Sequence, residues 1–269
     1  MRPDGTDNAA RTAAATPRPF ATLPDWYRLT ELERCGSTND VAKELARSGA
    51  PEGTLVRTLM QEAGRGRRGR AWTSIPGNLY CSLVLRPHGG PARAAEISFV
   101  AALAVAQAVS DLVPGAPKVK WPNDVLLDGA KIAGILLESE PGPGGTVEWL
   151  VLGVGVNVSG HPEGLDYPAT SLREAGADID AGEVLALYGR HFLTWYERWQ
   201  TYGFAPVRAA WLNAAQGLGG PVTVRLAAES FEGRLVDLDE EGGLIVETGT
   251  GRRRVTAGDV FPATSRVGA

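Results

Sequence analysis

Gln61-Glu62-Ala63-Gly64-Arg65-Gly66-Arg67-Arg68-Gly69-Arg70-Ala71-Trp72 is the stretch that decides between fold classes. Gly64, Gly66 and Gly69 satisfy the Gly-x-Gly-x-x-Gly spacing of dinucleotide folds, where a strand precedes the glycines and a helix follows to meet pyrophosphate. Here arginine fills all three intervening positions, and the residues after Trp72 pass through Pro76-Gly77-Asn78 into an apolar strand rather than a helix. A kinase glycine loop is excluded as well, because no Val-Ala-Ile-Lys, His-Arg-Asp or Asp-Phe-Gly occurs in the chain. What remains is a loop suited to holding anions: glycines allow close backbone approach, and each guanidinium offers a planar fork of donors. Trp72 adds a flat apolar face on which a base could stack. The simplest alternative is a solvated basic loop without a ligand. Apolar strands on both sides, residues 54–59 and 79–85, weigh against it by anchoring the loop on a core.

The rest of the composition makes this basic stretch local. The 269 residues are 43% hydrophobic and 22% charged, enough for one large globular domain plus a small one. A net charge of -4 and a pI near 5.5 argue against a nucleic-acid backbone as the main partner. Cys35 and Cys81 give neither a metal spacing nor a disulfide framework, and His88, His161 and His191 are scattered. A reducing cytoplasm fits this usage, and neither a signal peptide nor an apolar run of membrane-spanning length is evident.

Along the chain, residues 1–22 read as a disordered leader rich in Ala, Thr, Pro and Arg, too short for a helix-turn-helix. Residues 23–217 read as one domain and 218–269 as a second. A first strand over 27–32 leads to Ser37 and Asp40, a capping-box-like pair opening an amphipathic helix that carries Val41, Leu45 and Ala46. The 3.6-residue spacing predicts a buried helix over 96–113. Within 118–127, Pro122 breaks the pattern and exposes Asn123 and Asp124 at a sheet end. Asp128-Gly129 predicts a hairpin turn into a strand over 131–138, with Lys131 read most simply as a snorkelling edge residue. The apolar run 148–158 predicts a central strand, at whose end Asn157 must find hydrogen-bond partners. Thr170 to Glu174 predicts a short capped helix, and 182–202 a long one whose stripe of Tyr188, Phe192, Trp195 and Trp199 belongs to the core. After Leu218-Gly219-Gly220, alternating segments over 222–226, 232–238, 243–248 and 253–255 read as a small antiparallel barrel.

Ser37-Thr38-Asn39, the arginine loop with Trp72, Asn78-Leu79-Tyr80, Lys120-Trp121-Pro122-Asn123-Asp124, Lys131 to Glu138 and Gly153-Val154-Gly155-Val156-Asn157 occur in one order. In this order they resemble the biotin protein ligases, also called biotin–[acetyl-CoA-carboxylase] ligases or holocarboxylase synthetases, from about Leu23 to the C-terminus. The resemblance implies an α+β fold: a mixed-sheet, class II synthetase-like catalytic domain followed by an SH3-like β-barrel. It implies a monofunctional member, since members that double as repressors carry an N-terminal winged helix. The implied reaction activates biotin with ATP and Mg²⁺ to biotinyl-5'-AMP and transfers biotin to one lysine of a biotin carboxyl carrier protein. The enzyme is expected in the cytoplasm, as a monomer or weak ligand-dependent dimer without direct DNA or membrane binding.

Carried over residue by residue, the resemblance assigns biotin to Ser37, Thr38, Asn39, Gln61, Gly64, Arg65, Gly66, Arg67, Lys131 and Gly134. It assigns ATP to Arg65, Arg67, Arg70, Trp72, Asn123, Lys131 and Asn157. Arg67, Lys131 and Asp124 are the candidate catalytic residues: Arg67 on the α-phosphate, Lys131 on the biotin carboxylate, Asp124 near the incoming lysine. Ligands for the metal stay unassigned. Two other functions fit in part, a lipoate–protein ligase sharing the adenylation chemistry and a biotin-responsive regulator.

Overall fold

The computed structural model describes residues 22–262, so the expected leader lies outside the described residues except for Thr22. The chain opens with β1 (Arg28–Cys35), α1 (Thr38–Arg47) and β2 (Thr54–Gln61), and the two strands pair in parallel with Cys35 opposite Gln61. β3 (Leu79–Leu85) runs back antiparallel to β2 and is buried along its whole length. α2 (Pro91–Ala95) and α3 (Ile97–Ser110) follow. The stretch Pro91–Ser110 is apolar enough to span a membrane by composition, yet most of it is buried against the sheet and the long helix Ala181–Tyr202, the place of an all-apolar core helix.

β4 (Lys118–Lys120) and β5 (Asp124–Leu127) flank a cis Trp121–Pro122 bond. Asp128 and Gly129, with φ of 49° and 81°, form the expected turn into β6 (Ala130–Pro141), and β7 (Val147–Val156) pairs with β6. The seven strands lie in the order β1-β2-β3-β7-β6-β5-β4, which puts the apolar run of β7 in the middle as its composition predicts. α4 (Ala181–Tyr202) begins at a capping box of Asp180 and Glu183 and buries the aromatic stripe. α5 (Phe204–Ala214) connects to the five-stranded antiparallel sheet of β8 (Pro221–Arg225), β9 (Ser230–Leu238), β10 (Leu244–Thr248), β11 (Gly251–Val255) and β12 (Asp259–Pro262). The small sheet docks on the large unit: Trp121 Nε1 donates to Gly242 O at 3.1 Å, and Arg208 pairs with Asp237.

Strand alternation divides the large sheet into two faces. Leu150, Leu152, Val154 and Val156 of β7 join the core under α3 and α4, while Trp149 and Val151 pack with Ala42 and Ala46 of α1. Gly153 and Gly155 share the α1 face. Across the sheet on that face run three rows fixed by the registers: Val84–Val151–Glu138, Ser82–Gly153–Leu136 and Tyr80–Gly155–Gly134. The last two rows are low where the glycines lie, and they form a floor.

Two local readings are corrected, and two elements were not read from the sequence. The Ser37 side chain makes no capping hydrogen bond, and Asp40 turns to Arg65 and Lys43 instead, because two cations offer it more than one backbone N–H. Residues 172–176 form a hydrogen-bonded turn rather than a helix, closed by Gly176 at φ 92° with Ser171 Oγ accepting from Glu174 N. α5 has no counterpart in the sequence reading, since Pro206 conceals it; proline fits the first turn, where its missing N–H would be unpaired anyway. β12 is missed because four residues are too few to show alternation.

Candidate functional site

The arginine loop is itself a small hairpin. Trp72 N donates to Gly64 O at 2.9 Å, Arg65 bridges Ala71, Gly66 N donates to Arg70 O at 2.7 Å, and a tight turn at Arg67–Gly69 closes the tip. Gly64 is required at the base, where a Cβ would come within 2.5 Å of Trp72 O. Arg68 adopts φ 55° and Gly69 φ 73°, the left-handed backbone that lets the tip turn. The hairpin forms one wall of a cavity of about 830 Å³, within the roughly 300–1,000 Å³ range of small-molecule sites. All the expected site residues line it except Gly64, at the hairpin base, and Asn157.

One end of the cavity is made of neutral hydrogen-bonding groups. Gln61 Oε1 accepts from Thr38 N at 2.9 Å and lies 3.1 Å from Thr38 Oγ1, so Gln61 supplies the cap that Ser37 does not. Ser82 Oγ lies 2.8 Å from Thr38 Oγ1 and 2.6 Å from Asn39 Oδ1. Behind them, Glu138 accepts from Asn39 Nδ2 at 2.7 Å and Lys43 Nζ at 2.8 Å, and Arg65 spans Asp40 and Glu138. The Arg65 guanidinium holds the Asp40 carboxyl down at about 2, against a smaller opposing effect of burial. Burial works against the Glu138 charge, but the Lys43 and Asn39 hydrogen bonds and the Arg65 charge together hold its carboxyl below the usual range. Arg65, expected on both biotin and ATP, is thus paired with two carboxylates at this end.

Two residues along β7, roughly 7 Å away, the character changes. Trp72 lies against Gly155 and Gly134, where Cβ atoms would come within 2.6 and 2.8 Å of the indole. Its Nε1 is buried without a hydrogen-bond partner among the described residues. Lys131 Nζ sits 5.5 Å from the ring centroids of Trp72 and Tyr167 and 2.6 Å from Asp124 Oδ1, both charged side chains being only 16% exposed. β6 is an interior strand, so Lys131 is not an edge residue; it reaches into the cavity. Asn157 lies behind Trp72 in a recess of about 30 Å³, where its Nδ2 donates to Thr170 O at 3.0 Å and Lys131 O at 3.4 Å.

Between these ends stands Arg67, half-buried, its Nη1 donating to Asn123 Oδ1 at 3.3 Å while Asn123 Nδ2 donates to Ile135 O at 2.6 Å. Burial draws the Arg67 guanidinium below its ordinary range, with Asp259 and Asp124 opposing that effect. The far wall comes from the small sheet. Asp259 on β12 pairs with Arg70 and, at 3.5 Å, with Arg68; Lys120 and Arg225 lie 5.0 and 4.6 Å from the Phe261 ring centroid. Lys120 is lowered from its ordinary range chiefly by burial, with Asp124 pulling the other way. Cys81 borders the cavity, but strand alternation turns its side chain to the opposite face of the sheet, into the core under α4, where burial lifts its thiol to about 12 and leaves it inert.

Sequence reasoning missed Asp40, Lys43, Ser82, Lys120, Glu138, Arg225 and Asp259. Glu138 had a signal, since alternation puts Gly134, Leu136 and Glu138 on one face. Asp259 had none, lying 189 residues from the Arg70 it pairs with.

The sequence model of the Biotin/lipoate A/B protein ligase family matches residues 23–213, and that of the Biotin protein ligase C terminal domain matches residues 217–261. A biotin--[acetyl-CoA-carboxylase] ligase of Paracoccus denitrificans is 42% identical over 238 residues, 86% of this chain and 98% of the relative. The bifunctional ligase/repressor BirA of Bacillus subtilis (strain 168) is 36% identical over 83% of this chain and 70% of its own length. Among solved structures, the biotin protein ligase from Aquifex aeolicus in complex with biotin and ATP superposes with a TM-score of 0.75 at 28% identity, covering 87% of this chain and 97% of the other.

Proposed function

The chain belongs to the Biotin/lipoate A/B protein ligase family and is a biotin protein ligase, and from that premise we propose that it joins biotin to a carrier lysine through biotinyl-5'-AMP. The observation that carries this reading is the sequence of chemistries along one cavity. A neutral amide and hydroxyl pocket around Thr38 and Gln61 suits a cyclic urea, Arg67 and Lys131 in the middle suit a carboxylate meeting a phosphate, and Trp72 on its glycine floor suits a purine.

In the first half-reaction a biotin carboxylate oxygen attacks the α-phosphorus of ATP, an acyl-phosphate bond forms, and the bond to pyrophosphate breaks. Two anions must approach each other, so fixed positive charge in a partly dry site lowers the barrier. Arg67 is desolvated and oriented by Asn123; Lys131 is held by Asp124 and the flanking rings. No three His, Cys, Asp or Glu side chains gather as a metal site among the described residues, and Asp124 and Asp259 already carry ion pairs. Mg²⁺ therefore fits as an ion carried on the nucleotide's phosphates, where it would neutralise charge. In the second half-reaction the neutral ε-amine of the carrier lysine attacks the acyl carbon, AMP leaves, and the amine proton passes to a base, for which Asp124 is the candidate.

Residues 23–217 serve as the catalytic unit in this reading and 218–269 as the barrel that closes the cavity through Asp259 and Arg225. The acceptor is a biotin carboxyl carrier domain, and the compartment the cytoplasm. Incubating the protein with ATP, Mg²⁺, labelled biotin and a biotin carboxyl carrier domain tests the reading. Label on the carrier lysine is expected; labelling by lipoate in place of biotin, or none by either, overturns it.

A further inference from the structure

The wall opposite the reacting centre holds a hydrogen-bond chain that ends on an anion. An ionised carboxylate can only accept, so Glu138 Oε2, 2.7 Å from Asn39 Nδ2, fixes which way the Asn39 carboxamide points. Its oxygen then faces Ser82 Oγ at 2.6 Å, in a slot that exists because residue 153 is glycine: a Cβ there would meet Asn39 Oδ1 at 2.2 Å. Ser82 is fully buried and owns one proton, which Asn39 Oδ1 takes.

The consequence reaches the ligand side. Thr38 Oγ1 stands 2.8 Å from Ser82 Oγ and 3.1 Å from Gln61 Oε1, but with the Ser82 proton committed to Asn39, only the Thr38 proton serves both of these contacts. Gln61 Oε1 already takes the Thr38 N–H at 2.9 Å, so with the Thr38 hydroxyl proton drawn to Ser82 Oγ, one Gln61 Oε1 lone pair and the Thr38 Oγ1 lone pairs stay open, and both residues line the cavity. That end is therefore rich in acceptors, and a ring N–H of a ligand supplies what is missing.

We propose that Glu138 is a positioning residue that sets this polarity, and through it makes the pocket select a ligand ring with an N–H donor facing Thr38 and Gln61. Lys43, Arg65 and Asp40 surround Glu138 with two cations and one further anion, so the carboxylate is kept charged and in place. The assignment rests on the biotin reading above and adds to it which buried group imposes the urea preference.

The test compares biotin with its two cyclic carbamate analogues, in each of which one ring N–H is replaced by oxygen, by calorimetric binding to the full chain. The parent is expected to bind at least one analogue about 10-fold or more weakly than biotin, the effect of leaving a buried acceptor unpaired. In Glu138→Gln, which can donate and lets Asn39 turn over, biotin should weaken and that ratio should fall toward one. Ser82→Ala interrupts the chain without touching the charged cluster and should lower the ratio likewise, so it carries the test if Glu138→Gln does not fold. Equal weakening of biotin and both analogues in the variants, with the ratio unchanged, means that Glu138 only supports packing and overturns the proposal. So does a parent that does not distinguish the three ligands. A parent that binds none of them overturns the biotin reading itself, whereas failure of the ratio alone leaves that reading standing.

Discussion

Trp72 rests on Gly155: a Cβ at residue 155 would lie 2.6 Å from indole Cε2 and 2.7 Å from Cζ2. The indole thus takes its height above the sheet from the absence of a side chain. Gly155→Ala should lift Trp72 into the space assigned to adenine, with an overpacking strain of about 1–3 kcal/mol. The Michaelis constant for ATP should rise about 10-fold or more, while calorimetric affinity for biotin alone changes little, because the pocket around Thr38 is two residues away along β7. Equal loss of both affinities would detach Trp72 from the nucleotide.

Asp40 and Arg65 give a prediction with a defined sign. The folded state holds the Asp40 carboxyl at about 2, below its ordinary 3.8. A depressed carboxylate contributes stability that is present above the unfolded value and disappears as pH falls through the folded one, here between about pH 4 and pH 2. The Asp40 side chain is 49% exposed, so solvent screening limits the contribution to about 1 kcal/mol. Urea unfolding from pH 5 to pH 2.5 should show a smaller acid-induced loss for Asp40→Asn than for the parent; parallel curves would remove the pair from the stability of α1.

The same pair shows where sequence reading stops. β7, the Asp128-Gly129 hairpin and the aromatic stripe of α4 were legible because each is a local pattern of alternation, turn residues or helical spacing. Ser37 and Asp40 also present a local pattern, but the decisive partner, Arg65, comes from a loop 25 residues on, and Glu138 lies 73 residues beyond Arg65. An arginine among glycines looks free to hold phosphate; only the folded sheet reveals two carboxylates already around it. The motif order marked most of the cavity lining that the arginine hairpin, the start of α1 and the large sheet contribute, but not residues 164–168. It carried no information on which of them are already paired, nor on the wall that β8 and β12 contribute.

Arg67 remains as the half-buried cation of the loop, and its guanidinium donates to a neutral amide, Asn123. Arg67→Ala should remove one or more charge-assisted hydrogen bonds to the acyl-phosphate, each contributing about 1.5–3 kcal/mol. Retention of biotinyl-5'-AMP should fall about 10- to 100-fold, read as dissociation of pre-bound labelled intermediate. The thermal midpoint should move little, since no ion pair is broken. Retention equal to the parent would move the phosphate elsewhere, to Lys120 or Arg225.

Asp124 and Lys131, 2.6 Å apart, allow the two half-reactions to be separated by charge. Lys131→Ala should chiefly impair adenylate formation, because it removes a cation from the carboxylate–phosphate encounter. Asp124→Asn keeps the size of the side chain and removes its charge, so adenylate formation should be spared and transfer slowed, by about 10²–10⁴-fold if it acts as the base. The attacking amine must be neutral. With an ordinary lysine pKa of about 10.4, fewer than roughly one in a thousand carrier lysines is deprotonated at pH 7, and a carboxylate beside the acyl carbon helps by taking the proton. Raising the pH supplies neutral amine without a base, so the Asp124→Asn deficit should shrink from pH 6 to pH 9. Because the two residues touch, their single effects will not add, and the double variant should lose less than the product of the two. Pre-formed biotinyl-5'-AMP supplied with a carrier domain isolates the second step. Equal transfer rates for parent and Asp124→Asn across that range would sink the base assignment, and a defect confined to adenylate formation would place Asp124 with the phosphates, where its ion pair with Lys131 already puts it within reach.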